Sequence, residues 1–408
     1  MGLLSLSELS PQIKQYLMIT TNYWAFTLTD GALRMLVVLY FHQLGYSPIK
    51  IAMLFLFYEI FGVITNLVGG WLGARLGLNK TMNIGLALQI VALSMLAIPA
   101  DMLSMLYVMM AQALSGIAKD LNKMSAKSAI KLLVPGNAQG KLYQWIAILT
   151  GSKNALKGVG FFMGGLLLTL LSFKGAIILM ASMLSVVWVI SLIALKNDLG
   201  KASAKPKFND IFSKSHNINV LSAARMFLFG ARDVWFVVAL PVFLAATFNW
   251  DHWWVGGFMA SWVVGYGIVQ SFAPFITGKH QGRVPQGNTA AIWASYLTFI
   301  PVLIALAVYF NFYIQASIII GLLIFGAVFA INSSLHSYLI VSYAGNDGVS
   351  LDVGFYYMAN AMGRLIGTIL SGWVYQAYGL VACLCISSVF VAIAAILSLQ
   401  LKPNRVSD

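Results

Sequence analysis

Long apolar runs, interrupted at intervals by glycine, proline and charge, dominate the chain from about residue 15 onward. They predict spans at 15–42, 48–72, 81–99, 103–122, 142–171 and 175–195, and then, after a polar stretch from Lys196 to Asn217, at 218–247, 253–277, 288–309, 312–343, 353–376 and 380–400. Crossing the hydrocarbon core takes ~20 apolar residues, and the longer runs must tilt, kink or protrude. The pattern predicts an all-α membrane protein with twelve transmembrane helices in two pseudo-symmetric six-helix bundles, 1–195 and 218–408, joined by a basic linker at 196–217. The linker carries Lys201, Lys205, Pro206 and Lys207, and a short surface helix is expected around Phe208 to Phe212.

Composition changes the picture by exclusion. Of 408 residues, 60% are hydrophobic and only 9% charged, against about a quarter charged in soluble domains. No room is left for a sizeable soluble domain. The polar first fifteen residues, with Glu8, Pro11 and Lys14, lack the build of a cleaved signal, so the first span is expected to remain. The net charge of +13 does not indicate nucleic acid, because its bases collect in alternate loops. One set of loops holds Arg75 and Lys80, then Lys127, Lys131 and Lys141, then the lysines from Lys196 to Lys214, then Lys279 and Arg283; the other holds Lys50 and Lys174. By the positive-inside rule, both termini are expected in the cytoplasm. Cys383 and Cys385 lie two apart on one helix and point apart, which supports neither a disulfide framework nor a metal site.

The charges within the spans carry the candidate chemistry. Seven bases, Arg34, Lys119, Lys153, Lys157, Arg225, Arg232 and Arg364, fall within or at the edge of spans, against four acids, Asp30, Glu59, Asp120 and Asp233. Lys or Arg at the centre of a span costs roughly 2.5–3.5 kcal/mol on insertion scales, so such groups face a bundle interior or wet cavity. The excess predicts a net-positive cavity and a small anionic substrate, since Arg grips an oxyanion with two parallel hydrogen bonds.

Spacing gives these residues candidate roles. Asp30 and Arg34 share a helix face, as a structural ion pair or as one that neutralises itself only while substrate is absent. Lys153 and Lys157 have no nearby acid and need a partner from another helix or the substrate, unless they snorkel to the surface. Lys119, Lys123, Lys127 and Lys131 recur every four residues; most of this stripe is expected to be solvated, with Lys119 and Lys123 deepest. Arg225 and Arg232 lie on one side of the seventh helix.

A weak internal repeat matches Asn154-Ala155 and the following Lys157 with Asn360-Ala361 and the following Arg364, and Gly31-Ala32 with Gly230-Ala231. It supports parallel halves with a site near mid-depth, and adds Asn154 and Asn360 to the substrate-binding set. Proton coupling has Asp30, Glu59, Asp233 and His336 as candidates, with an ordinary hydrogen-bonded helix contact as the alternative for Glu59 and His336. Paired catalytic carboxylates, a nucleotide-binding glycine loop and a metal cluster are absent from the sequence, so no cofactor is expected and a transporter driven by a gradient is preferred to an enzyme or ATP-driven pump.

Between the second and third spans, Gly70-Trp-Leu-Gly-Ala-Arg75-Leu-Gly77 resembles the major facilitator loop signature, with Gly70, Arg75 and Gly77 in place and Ala74 where that signature has Asp. Gly158, Gly160, Gly164 and Gly165 resemble its glycine-rich antiporter motif without the proline. The segments 23–34, 111–125, 149–158 and 354–364 resemble the organoarsenical efflux permeases, the ArsJ family. That resemblance implies a secondary transporter in a bacterial inner membrane exporting 1-arseno-3-phosphoglycerate, the ester that glyceraldehyde-3-phosphate dehydrogenase makes from arsenate, and so conferring arsenate resistance. The dehydrogenase would be a metabolic partner, and the permease a monomer. A glycerate with two polyanionic ends suits distributed bases, whereas trivalent arsenic would call for thiolates. The alternatives are an organophosphate or organic-anion antiporter or drug exporter of the same fold, and a membrane scaffold or receptor, which the cost of intramembrane bases disfavours.

Overall fold

The computed structural model describes residues 10–46, 48–195, 199–203, 207, 215–250, 252–278 and 284–403. The expected surface helix at 208–212 and Lys196, Lys205, Lys214, Lys279 and Arg283 lie outside the described residues.

Of the described residues, 88% are helical and none lies in a strand. The helices are α1 (Pro11–Gln43), α2 (Pro48–Leu54), α3 (Leu56–Leu76), α4 (Leu78–Leu96), α5 (Met105–Leu133), α6 (Gln139–Ala194), α7 (His216–Phe236), α8 (Ala239–Phe248), α9 (His252–Ile276), α10 (Gly287–Tyr309), α11 (Ile314–Tyr343) and α12 (Val349–Leu399). They correspond to twelve spans, though not one for one. Helices α2 and α3 make the second span together, and α7 with α8 the seventh, whereas α6 and α12 each hold two. The breaks inside those two are at Ser172 (φ 61°) and Gly379 (φ 76°), where single residues in the left-handed region redirect the chain. Local chemistry sets the starts of the helices. Ser10 accepts from the Ile13 N–H ahead of Pro11, and Ser104 accepts from the Tyr107 N–H, each satisfying an otherwise orphaned first-turn donor.

Two compact units divide the chain. The first comprises residues 1–142, 156–212 and 344–355. Its apolar core gathers Phe26, Leu33, Leu36, Phe41, Leu93 and Phe173, with Tyr40 stacked on Phe173 at 4.2 Å. Glycines set the approach of α6 to α1: a Cβ on Gly160 would meet the Leu28 carbonyl at 2.8 Å, and one on Gly164 would strike the Ala32 carbonyl. Backbones this close are the packing that small residues permit in lipid, where apolar burial supplies little drive.

The second unit comprises residues 143–155, 213–343 and 356–408. Its core is aromatic, with Trp235, Trp262, Tyr266, Phe325 and Phe329 interlocked and Trp262 stacked on Tyr266 at 5.6 Å. Gly363 lies against the Met226 carbonyl, and a Cβ on Gly367 would meet the Gly230 carbonyl at 2.7 Å. These contacts repeat those of Gly160 and Gly164 and correct the register of the internal repeat. Gly160 corresponds to Gly363, so Lys157, not Asn154, aligns with Asn360, and Phe161 aligns with Arg364. The packing glycines set the register; the Asn-Ala match is three residues out.

Large apolar side chains such as Leu170, Phe272, Phe299, Ile369 and Trp373 remain exposed. Among the described residues, eight helical segments, α7 and α8 counted as one, are long and apolar enough to cross a membrane by length and hydropathy alone, and this apolar exterior is what lipid requires.

Candidate functional site

The second unit assembles most of the predicted site. Beginning at α6, the Lys153 ammonium donates to Asn154 Oδ1 at 3.2 Å, Asn154 Nδ2 donates to Gln270 Oε1 at 2.6 Å, and Gln270 Nε2 donates to Ser333 Oγ at 3.1 Å. From the other end, Arg225 donates through Nε to Asn360 Oδ1 at 2.8 Å and through a terminal nitrogen to the Ser333 carbonyl at 3.2 Å. One polar chain thus runs through α6, α9, α11, α7 and α12. Arg225 is buried, with its guanidinium carbon 3.8 Å from the centre of the Phe229 ring, and the ring face contributes attraction in place of water.

One turn along α7, Phe229 also carries Arg232 at 4.9 Å. Arg232 grips Asp233 Oδ1 at 2.6 Å, and Arg364 Nε donates to Asp233 Oδ2 at 3.2 Å. Asp233 is fully buried and both arginines are part-exposed. Two guanidinium groups share one carboxylate, so the trio keeps one positive charge with donor groups left over.

The first unit is arranged differently. Arg34 pairs with Glu59 at 3.1 Å, and Asp30 accepts from the Tyr58 hydroxyl at 2.8 Å. Spacing along α1 suggested that Asp30 and Arg34 serve one another, whereas α3 supplies each of them with a further partner. The Lys119 ammonium sits 3.9 Å over the Tyr58 ring, and Asp120 takes Lys123 at 2.6 Å. Lys157 is half-buried on α6, with its ammonium 6.0 Å from the Phe161 ring.

The lysine stripe requires a correction. Lys127 is only 2% exposed and Lys131 is part-buried, because α5 continues unbroken to Leu133 with its last turns largely buried. The stripe does not face solvent over most of its length. Of the gating-loop residues, Gly70 abuts the Ser350 carbonyl, Arg75 lies exposed over Trp71 at 5.0 Å, and Gly77 (φ 95°) makes the turn between α3 and α4. Cys383 is buried and Cys385 exposed, as their spacing required.

The chain has relatives of known kind. A sequence profile of the Major Facilitator Superfamily matches residues 17–351. The chain belongs to this superfamily. Among solved structures, it superposes on the human organic anion transporter MFSD10 (TETRAN) with a TM-score of 0.76 at 14% identity, covering 96% of this chain and 100% of that one. It superposes on a bacterial homologue of the iron transporter ferroportin, in the outward-facing state, with a TM-score of 0.71 at 14% identity over 94% and 98% of the chains. The fucose:proton symporter FucP of E. coli gives a TM-score of 0.70 at 13% identity over 96% and 99%. At these identities the likeness is one of fold. No curated protein matches the chain. As a superfamily member with a transporter fold, the chain is a multi-pass membrane transporter.

Several side chains of this site were not singled out from the sequence. Gln270 and Ser333 complete the polar chain, and Tyr58 organises Asp30, Arg34 and Lys119. The run Asn332-Ser333-Ser334-Leu335-His336-Ser337 was a readable signal, because so many hydrogen-bonding groups in mid-span are costly without a purpose. All six residues are buried, and both ring nitrogens of His336 lack a hydrogen-bond partner among the described residues.

Proposed function

We propose that the protein exports a small, highly anionic metabolite by alternating access, and that the bases of the second unit bind it. The supporting observation is where the charge excess falls. Of the seven bases and four acids within the spans, the first unit holds Arg34, Lys119 and Lys157 against Asp30, Glu59 and Asp120, which balance. The second holds Lys153, Arg225, Arg232 and Arg364 against Asp233 alone. Among these eleven residues the excess of three falls in the second unit, while part-buried Lys123 and buried Lys127, just past the fourth predicted span, add two bases to the first, where Lys123 pairs with Asp120. A polyanion is the ligand that compensates the second unit's excess. Arg232 and Arg364 hold one end of the substrate, with Asp233 keeping their guanidinium planes in place, and Lys153 and Arg225 draw in the other. Asn154 and Asn360 orient these two bases. Asp30, Glu59 and His336 remain the groups whose protonation would couple transport to a gradient.

The resemblance to the organoarsenical permeases narrows the anion to 1-arseno-3-phosphoglycerate, made in the cytoplasm by glyceraldehyde-3-phosphate dehydrogenase. On this reading the protein is a monomer in a bacterial inner membrane with both termini inside, divided at the 196–217 linker. The charge distribution supports the anion class, and the resemblance supports the ester. A resistance assay separates them: arsenate-sensitive cells are expected to become resistant only when the transporter and the dehydrogenase are expressed together. Resistance to arsenite, or none, overturns the ester. Replacing Lys153 by Gln is expected to abolish export with membrane insertion intact; export at the parental rate would remove it from the site.

A further inference from the structure

The segment after the sixth span returns to the loop between α3 and α4 and is fastened there. The Leu78 N–H donates to the Leu199 carbonyl at 2.7 Å, and the Ala202 N–H donates to the Ala74 carbonyl at 2.8 Å. Residues 199–202 thus run antiparallel to 74–78. Leu78 is the first residue of α4, and its N–H has no acceptor within the helix, so the strap satisfies a group that the loop leaves orphaned. Gly200 makes the turn at φ +73°, and a Cβ there would come within 2.5 Å of the Leu78 side chain.

One residue further on, the Ser203 N–H donates to Asp347 Oδ1 at 2.9 Å. Asp347 stands just ahead of α12, whose first turns pack on α3 within the same unit: the Ser350 hydroxyl donates to the Gly70 carbonyl at 2.7 Å, and Gly354 abuts Gly70. Three of these partners, Gly70, Ala74 and Leu78, belong to the stretch from α3 into α4 whose loop signature lacks its carboxylate, with Ala74 in place of Asp.

We propose that residues 199–203 are a latch holding the start of α12 on the α3–α4 loop, and that Asp347, acting through the Ser203 N–H, is the positioning residue that supplies the missing carboxylate. The two backbone bonds tie the strap to the loop alone. The bond to Asp347 joins the strap to the start of α12, so opening of the Ser350–Gly70 contact with the strap still on the loop breaks it. A carboxylate on a backbone N–H is a charge-assisted bond, so the latch favours the state in which Ser350 is covered.

The test needs no substrate, so its failure is separable from failure of the anion reading. In a background with Cys383 and Cys385 replaced by Ser, Ser350→Cys is labelled with a maleimide in native membranes, and the rate reports how often the contact with Gly70 opens. Asp347→Ala and Ser203→Pro, which remove the acceptor and the donor, are each expected to raise the rate about fivefold, a factor in keeping with an exposed charge-assisted bond. Ser203→Ala keeps the N–H and is expected to leave the rate unchanged. Gel filtration of the detergent-extracted variants excludes unfolding as the cause. Unchanged labelling in Asp347→Ala and Ser203→Pro, or equal acceleration in Ser203→Ala, overturns the latch.

Discussion

Asp233 is the residue on which the second unit's charge arrangement turns. It is fully buried and accepts from Arg232 and Arg364 at once, so Asp233→Asn leaves two guanidinium groups with no carboxylate between them. Removing one partner of a buried ion pair costs about 3–5 kcal/mol. Thermal unfolding in detergent is expected to show a loss at the lower end of that range, since both arginines are part-exposed, with partial recovery on adding 3-phosphoglycerate. An unchanged midpoint would mean that the arginines do not depend on this acid. At this scale the sequence was informative about type and poor about partner. It named Arg225, Arg232, Arg364 and Asp233, because charge in an apolar run is conspicuous, and Asn360 through the internal repeat. Their pairings depend on which helices become neighbours, and spacing along one helix carries nothing of that. Arg34 reaches Glu59 on α3, a partner that spacing along α1 does not name.

Among the elements, apolar runs and their punctuation were enough to place the spans, because lipid forces every spanning backbone to satisfy itself as a helix. What periodicity missed was continuity. Helix α5 extends some eleven residues beyond its apolar run and buries Lys127, since neighbouring helices, not lipid, enclose that part. Glycine contacts carry the element-scale prediction. In Gly363→Ala, the new methyl would strike the Met226 carbonyl, a backbone atom that can yield only if α12 moves away from α7. Overpacking of this sort costs about 1–3 kcal/mol. The unfolding midpoint is expected to fall, whereas Gly136→Ala, with open space around its Cβ, is expected to leave it unchanged. Equal behaviour of the two variants would contradict the tight α7–α12 contact and the repeat register drawn from it.

Over the whole molecule, the family, the helical fold and the membrane setting follow from the profile match and the superpositions. The proposed substrate rests on a chemical inference from the charge excess and on the resemblance of four segments. A net charge of +13 alone did not distinguish loop lysines from intramembrane bases; position along the chain did, and the division into units then located the excess. The measurement that bears most directly on this proposal is arsenic accumulation in everted membrane vesicles containing the transporter. The vesicles are supplied with glyceraldehyde-3-phosphate, NAD, arsenate and purified glyceraldehyde-3-phosphate dehydrogenase, each omitted in turn. Arsenic is predicted to accumulate only in the complete mixture, and to fall at least tenfold when Arg232 and Arg364 are replaced by Gln. Accumulation without the dehydrogenase, or none in the complete mixture although the vesicles hold folded protein, would contradict export of an arsenate ester.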